Sequence, residues 1–456
     1  MNLRAMKVDV SISCPRKSFE FAPIFLSYGD TSETKVALNI DYRNLYEFTH
    51  TLSGTSFDLF LLASIVYGID ILLPRESFGF DGWSREIEVS IPVGDPDLFL
   101  KGKESLEKTL NFLTGDVWNI SFGPQIDCVL YKRGEKEKVH TDSFRSLHKV
   151  VNLFSGGMDS LIGAINQLHV SQDHVCLVSH TDSMFKGAKK DQEQLLEEIS
   201  KKYSHYHYIP TRVDMNKRDV NGNVYDKETT LRSRSFLFLS MAILVADSLN
   251  SDMPVNIPEN GTISLNYPLT PSRRSTCSTR TTHPHFFKLL MTFLGELGLN
   301  HMVINDYQEC TKGEIVEQCL DRNLLKSTYR LSCSCGKRGT RKDIRDDGHA
   351  ANCGVCMPCI YRRAALHKIG EKEPVGTDIF HPRRRTLMDI PDMPALVSYI
   401  RKDTSIQEIK RGLLVNGPLP LDKLDAYASV VMRTREEIKQ WVRDEASAVT
   451  KRQFGV

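Results

Sequence analysis

The chain has 456 residues, 41% apolar and 25% charged, with a formal net charge of +2. This is the make-up of a globular protein long enough for about three domains. The near-neutral charge gives no global electrostatic case for a nucleic-acid partner, and the polar start MNLRAMKVDVSISC does not read as a secretory signal.

In chain order, residues 1–145 mix the strand-like runs VDVSISC, KVALNI, REIEVSI, VWNISF and DCVLY with two helical patterns, near 56–70 and 101–113. That mixture predicts an N-terminal α+β domain. The most apolar run, LFLLASIVYGIDILL at 59–73, is shorter than the ~20 residues that span a bilayer and contains Asp70. It reads as a core helix, and no membrane partner is expected. The charged run YKRGEKEKVHTD at 131–142 reads as a solvated linker.

Residues 146–370 alternate strand and helix. KVVNLF, HVCLVSH and HYHYIP read as strands; MDSLIGAINQL, KKDQEQLLEEISKKY and SRSFLFLSMAILVADSL read as helices. Such alternation predicts an α/β fold with a doubly wound parallel sheet, whose ligands sit beyond the carboxyl ends of the strands. Residues 371–456 are polar and mostly helical, with helices expected at MPALVSYIRKD, SIQEIKRGLL and TREEIKQWVRDEASAV.

Between the first strand and first helix of the middle segment lies Ser155-Gly156-Gly157. Paired glycines permit positive φ and close backbone approach. The first N–H groups of the helix have no partner within it, and they face an anion together with the positive end of the helix dipole. The hydroxyls of Ser155 and Ser160 add donors. Asp159 would repel phosphate; it fits a divalent cation placed between carboxylate and phosphate, or a cap on the helix start. The patterns GxxxxGK[ST] and GxGxxG are absent, which argues against kinase-type γ-phosphate transfer and against a nicotinamide dinucleotide.

Eleven cysteines are present, and Cys333, Cys335, Cys353, Cys356 and Cys359 cluster together. Clustering in a chain with no secretory signal points to metal in a reducing cytoplasm. Two overlapping C-x-x-C steps share Cys356, a spacing that lets thiolates converge on one tetrahedral Zn²⁺. The fourth ligand comes from Cys333 or Cys335, with His349 further off. A structural zinc contributes about 10–16 kcal/mol of apparent binding free energy in small peptides. A favourable charge at a helix end contributes at most ~2 kcal/mol. Loss of the metal is therefore expected to cost far more stability than a change at the glycine turn.

SGGMDS, residues 155–160, resembles the SGGxDS loop of the PP-loop ATP pyrophosphatases. That resemblance implies a HUP-like sheet, binding of ATP by Phe154, Ser155, Gly156, Gly157, Met158, Asp159 and Ser160 with Mg²⁺, and cleavage between the α- and β-phosphates. CGVCMPCIYRRAAL resembles the zinc-binding end of the 7-cyano-7-deazaguanine synthases (QueC), whose earlier Ser-Cys supplies the fourth ligand. Ser332-Cys333 matches that step, so the resemblance implies Cys333, Cys353, Cys356 and Cys359 as zinc ligands. TKGEIVEQCLDRNLL at 311–325 and RSRSFLFLSMAILVAD from Arg232 resemble two helices of the same family. They suggest Lys312 beside the ATP phosphates, with Asp159 and Lys312 as catalytic residues and Arg232 and Arg234 near the substrate.

The chain is about twice the length of a housekeeping synthase of that family, and Ser233 and Ser235 replace the glycine and asparagine of the family's G-R-N triplet. The stretch IPENGTISLNYPLTPSRRSTCSTRTTHPHF, residues 257–286, resembles the QueC-like component (QatC) of bacterial Qat anti-phage defence systems. Its Arg273, Arg274 and Arg280 are suited to phosphate, carboxylate or a peptide, with Arg273 and Arg280 expected at the substrate. His283 and His285 read as polar loop residues. The resemblance implies a cytoplasmic ligase. It adenylates a carboxylate, that of 7-carboxy-7-deazaguanine, releases AMP and pyrophosphate, and passes the acyl group to an amine. That amine is ammonia or the N-terminus of a partner protein of the same defence system. The rival expectations are a housekeeping nitrile synthase, a tRNA-modifying PP-loop enzyme, for which no strong basic face or spare persulfide cysteine is visible, and an inactive nucleotide-binding scaffold.

Overall fold

The computed structural model describes residues 5–13, 22–29, 34–41, 43–51, 53–125, 140–183, 187–270, 280–338, 351–382 and 386–456. Its centre is one ten-stranded sheet, ordered β10-β9-β6-β7-β8-β3-β2-β1-β4-β5. The strands are β1 Met6–Ile12, β2 Ile24–Tyr28, β3 Thr34–Asp41, β4 Glu86–Val93, β5 Val117–Pro124, β6 His148–Leu153, β7 His174–Thr181, β8 Tyr206–Met215, β9 Val255–Asn256 and β10 Val303–Ile304.

The five strands β10-β9-β6-β7-β8 are all parallel. Read in chain order they lie 5-4-1-2-3, the doubly wound order whose direction reverses beside its first strand. The reversal falls between β6 and β9. Side chains alternate across this sheet with period two. Val151, Leu153, Cys176, Val178 and Ile209 face a core that includes helices Thr55–Leu72 and Arg234–Leu249. Val175 and Leu177 face the opposite core, against helices Met158–Val170 and Ala188–Ser200.

The first two expected segments share this sheet. β3 pairs antiparallel with β8, Ile40 opposite Val213, and carries the sheet into the N-terminal strands. β8 therefore has neighbours on both sides, and it runs on to Met215 where HYHYIP alone suggested a short strand. β2 was not among the expected strands, and DCVLY lies outside the described residues.

Helix Thr55–Leu72 is long and apolar enough to cross a membrane, and 94% of it is buried inside the protein. A helix apolar on all sides belongs in a core. Its Asp70 meets Arg75 at 3.0 Å and Arg85 at 2.6 Å. Both arginines also meet Asp116, at 2.9 and 2.5 Å. The second oxygen of Asp70 accepts hydrogen bonds from the amide and hydroxyl of Ser233, just ahead of helix Arg234–Leu249. A buried charge network thus joins the N-terminal strands to the parallel sheet.

The C-terminal helices are Met393–Arg401, Ile406–Asn416, Leu424–Glu445 and Ala448–Phe454. They share a core with Cys353, Val355, Cys356, Cys359 and Ile360. The third begins at Leu424 rather than Thr434, because buried Leu424, Tyr427, Ala428 and Val431 continue the helical spacing upstream. The stretch 311–325 is two helices rather than one, Lys312–Glu317 and Arg322–Thr328. Asp321 breaks it by capping the second, accepting from the Leu324 amide at 3.2 Å.

Candidate functional site

The glycine turn leaves the carboxyl end of β6, next to the reversal of strand order. Phe154 extends the pairing with β7, its amide donating to the Val178 carbonyl at 2.8 Å. Gly156 then takes φ 83°, a conformation that favours glycine. Gly157 precedes helix Met158–Val170 and, having no side chain, makes no capping bond to it. The serine hydroxyls shape the loop. Ser155 Oγ lies 3.0 Å from Ser160 Oγ, Ser160 Oγ donates to the Gly157 carbonyl at 3.0 Å, and the Gly157 amide donates to Ser155 Oγ at 3.3 Å. At Gly163, on the same helix, a Cβ would lie 2.5 Å from Pro258. The glycine lets the loop after β9 close over the turn.

That approach assembles a buried polar cluster. Lys312 Nζ reaches Asp159 Oδ1 at 2.5 Å, and Asn260 Nδ2 donates to Asp159 Oδ2 at 2.6 Å. Asn260 is held in turn as the cap of helix Gly261–Leu265, its Oδ1 accepting from the Ile263 amide at 3.1 Å. Lys312 sits in the first turn of a helix closed by a Thr311–Glu314 capping box. Burial alone would raise the Asp159 carboxyl, but Lys312, Glu259 and Asn260 outweigh it and keep it ionised. Burial, then the Asp159 charge, push the Glu259 carboxyl well above the usual range. The pair therefore keeps its proton on Glu259. Asp159 is an ion-pair partner here, not a helix cap.

The cleft above this cluster has a volume of about 300 Å³, at the small end for ligand sites. Ser155, Gly157, Met158, Asp159 and Ser160 line one wall, with Glu259 and Lys312 at the floor and Arg234 and Phe238 to one side. Arg234 stacks over the Phe238 ring at 4.9 Å. Arg338 and Asp191 form an ion pair in the opposite wall.

Three expected site residues lie elsewhere. Phe154 is buried in the core behind the loop. Arg232 points into the N-terminal segment, where its guanidinium stacks on Trp83 at 3.8 Å and donates to the Thr114 carbonyl. Arg280 stacks on Phe112 at 4.6 Å and donates to its carbonyl. Arg273 lies outside the described residues, as do Arg274 and His349. His283 caps helix Pro284–Glu296, accepting from the His285 amide at 3.2 Å.

Beside the cleft, the sulfurs of Cys335, Cys353, Cys356 and Cys359 lie within 4.8 Å of one another. Cys353 and Cys359 are 3.8 Å apart, and Cys356 and Cys359 3.4 Å. These separations are too long for disulfides. Four sulfurs about 2.3 Å from a tetrahedral ion stand about 3.8 Å apart, so the cluster is able to hold a metal. The fourth place belongs to Cys335, which corrects the expectation of Cys333. The Cys333 amide donates to the Gly156 carbonyl at 3.0 Å, and its sulfur faces Ala351 and Asn352. Burial pushes its thiol up to about 11. Docked on the turn, Cys333 cannot reach the cluster; Cys335, two residues on, does. The run Ser332-Cys333-Ser334-Cys335 holds the Ser-Cys step twice, and the second copy is the one used.

The same segment links cluster and turn. Ser334 Oγ accepts from the Met158 amide at 3.4 Å. Buried Arg362, on helix Met357–Lys368, donates to Ser332 Oγ at 2.9 Å and Ser334 Oγ at 3.3 Å, and grips Glu373 with two bonds. The residues that sequence reasoning missed are Glu259, Asn260, Asp191 and Arg338. Their signal was weak: Pro258-Glu259-Asn260 follows a strand of two residues, too short for periodicity to register.

No protein-family model matches the chain, and no curated protein matches it either. The molecule's own geometry is an α/β fold on a mostly parallel sheet, with a polar cleft at the reversal of strand order and four cysteines able to hold a metal beside it.

Proposed function

We propose that the chain is an ATP-dependent ligase of the PP-loop pyrophosphatase type. In this reading it adenylates the carboxylate of a deazaguanine acid and transfers the acyl group to an amine, that of a partner protein in a bacterial defence system. One observation carries the reading: the SGGMDS turn opens into a cleft whose floor is the buried Lys312–Asp159 pair. The start of a helix and a lysine nearby suit a polyphosphate.

A carboxylate oxygen bonds to the α-phosphorus, and the bond from that phosphorus to the bridging oxygen of the β-phosphate breaks. Pyrophosphate leaves with the electron pair. The amine nitrogen then bonds to the acyl carbon, and AMP and a proton depart. The protein's part is positioning and stabilisation of phosphate charge. Lys312 is placed to meet developing negative charge. Asp159 is the ionised oxygen donor suited to Mg²⁺; Glu259 would join it only after giving up its proton, and the ion would supply charge neutralisation when bound. Cys335, Cys353, Cys356 and Cys359 are the ligands of a structural zinc, since four thiolates leave no open position.

A substrate carboxylate carrying heavy oxygen tests the reading. Adenylation moves one labelled oxygen into AMP, which mass spectrometry detects. Label in inorganic phosphate, with ADP as co-product, overturns it. Nucleotide binding without any turnover leaves the inactive scaffold. A partner protein of unchanged mass beside accumulating nitrile identifies a housekeeping synthase.

A further inference from the structure

At the opposite end of the parallel sheet from the cleft, three histidines converge. His148 and His174 open β6 and β7 and pair with each other across the two strands; His207 is the second residue of β8. Their ring centroids form a nearly equilateral triangle, with sides of 5.6, 5.1 and 5.3 Å. One nitrogen from each ring lies within 4.8 Å of the others.

These rings are not ordinary satisfied core histidines. His148 is 2% exposed, and His148 Nδ1 lies 2.9 Å from the Phe144 carbonyl. A carbonyl only accepts, so Nδ1 carries the proton and neutral His148 presents a bare lone pair at Nε2. That Nε2, together with His174 Nδ1 and His207 Nε2, is buried without a hydrogen-bond partner. A buried polar atom left unpaired destabilises the fold, and three are gathered here. Anchoring one imidazole nitrogen to a carbonyl while the other points inward is the arrangement that orients a metal-ligating histidine.

The surroundings complete the site. Phe144 and Phe48 cover it, with ring centroids 4.8 and 5.9 Å from His148. The side chains of His174 and His207 are only partly buried, which leaves a path for an ion. Among the described residues no carboxylate joins the group.

We infer that His148, His174 and His207 form a second metal site, a three-histidine seat for Zn²⁺ with solvent in the fourth position. Imidazole nitrogens suit zinc at about 2.1 Å, and three protein ligands with one open place is an established zinc geometry. The ion pins the starts of three parallel strands to one another, beneath Phe48 of helix Arg43–Thr49.

Metal analysis of the full chain, loaded with zinc and freed of excess, tests this directly. His148→Gln, His174→Gln and His207→Gln are each expected to halve the bound zinc. Cys356→Ser removes the other half. Cobalt separates the two seats: the cysteine seat gives intense thiolate charge transfer, whereas the histidine seat adds only weak ligand-field bands. Should a buried variant fail to fold, histidine-selective nitrogen NMR of the wild type still decides. Zinc is expected to shift three imidazole signals. Wild-type protein that binds metal only at the cysteines, with those signals unmoved, overturns the proposal and leaves a water-filled pocket.

Discussion

Replacing Lys312 strands a carboxylate. Lys312 and Asp159 are 5% and 8% exposed, and breaking one side of a buried ion pair costs about 3–5 kcal/mol. Lys312→Met should lower unfolding stability in urea by about that much. Adding Asp159→Leu should restore most of it, because the uncompensated charge is gone, yet neither protein should turn over ATP. A double variant as unstable as the single one would mean that the pair does not govern the stability of this site. Gly156→Ala is a milder test. Its φ is positive and its Cβ would press to 3.3 Å from Gln192, with roughly 1–2 kcal/mol of backbone strain. Weaker nucleotide binding with little change in melting is expected from calorimetry. At this scale the turn was legible, since glycine and serine spacing is local chemistry. The choice between Cys333 and Cys335 was not, because both follow a serine and only the docking of Cys333 on Gly156 separates them.

The segment 332–336 ties the two candidate sites together. It supplies Cys335 to the cluster, Ser334 to the Met158 amide and Cys333 to the Gly156 carbonyl. Stripping the metal should therefore loosen the glycine turn as well as the cluster. A chelator strong enough to remove zinc is expected to lower the melting temperature and abolish nucleotide binding together. Cys335→Ser should reproduce both effects, and Cys333→Ser should keep the metal. Metal loss from Cys333→Ser alone would reinstate the ligand set implied by the resemblance. Most helices and strands were legible because their apolar spacing is regular, as in β7 and helix Ala188–Ser200. The exceptions are elements whose partners come from afar. β8 reads as short until β3 covers its outer edge, and β9 is too brief to show any period. The three histidines are separated by long stretches of chain and meet only once β6, β7 and β8 lie side by side.

Across the whole molecule, the Asp70 network joins two regions that the sequence suggests as separate domains. Burial alone would raise the Asp70 carboxyl; Arg85 and Arg75 outweigh it and hold it at about 2, below the ordinary 3.8. A folded-state value below the unfolded one adds stability that is complete above about pH 4 and lost as pH falls toward 2. The shift corresponds to about 2 kcal/mol. Asp70→Asn should flatten the acid limb of the stability profile in urea, and it should cost about 3–5 kcal/mol at neutral pH by leaving Arg85 short of a partner. An unchanged acid limb would assign that pH dependence to other carboxylates. The continuous sheet explains why this network matters: helix Thr55–Leu72 and helix Arg234–Leu249 lie on the same face, and the charges sit where they meet.

The proposed chemistry stands or falls on where ATP is cut. Phosphorus NMR of ATP incubated with the protein, Mg²⁺ and the deazaguanine carboxylate reads this directly. The account predicts AMP and pyrophosphate in equal amounts, dependent on the carboxylate and absent with Lys312→Met. ADP and inorganic phosphate as the products would contradict it.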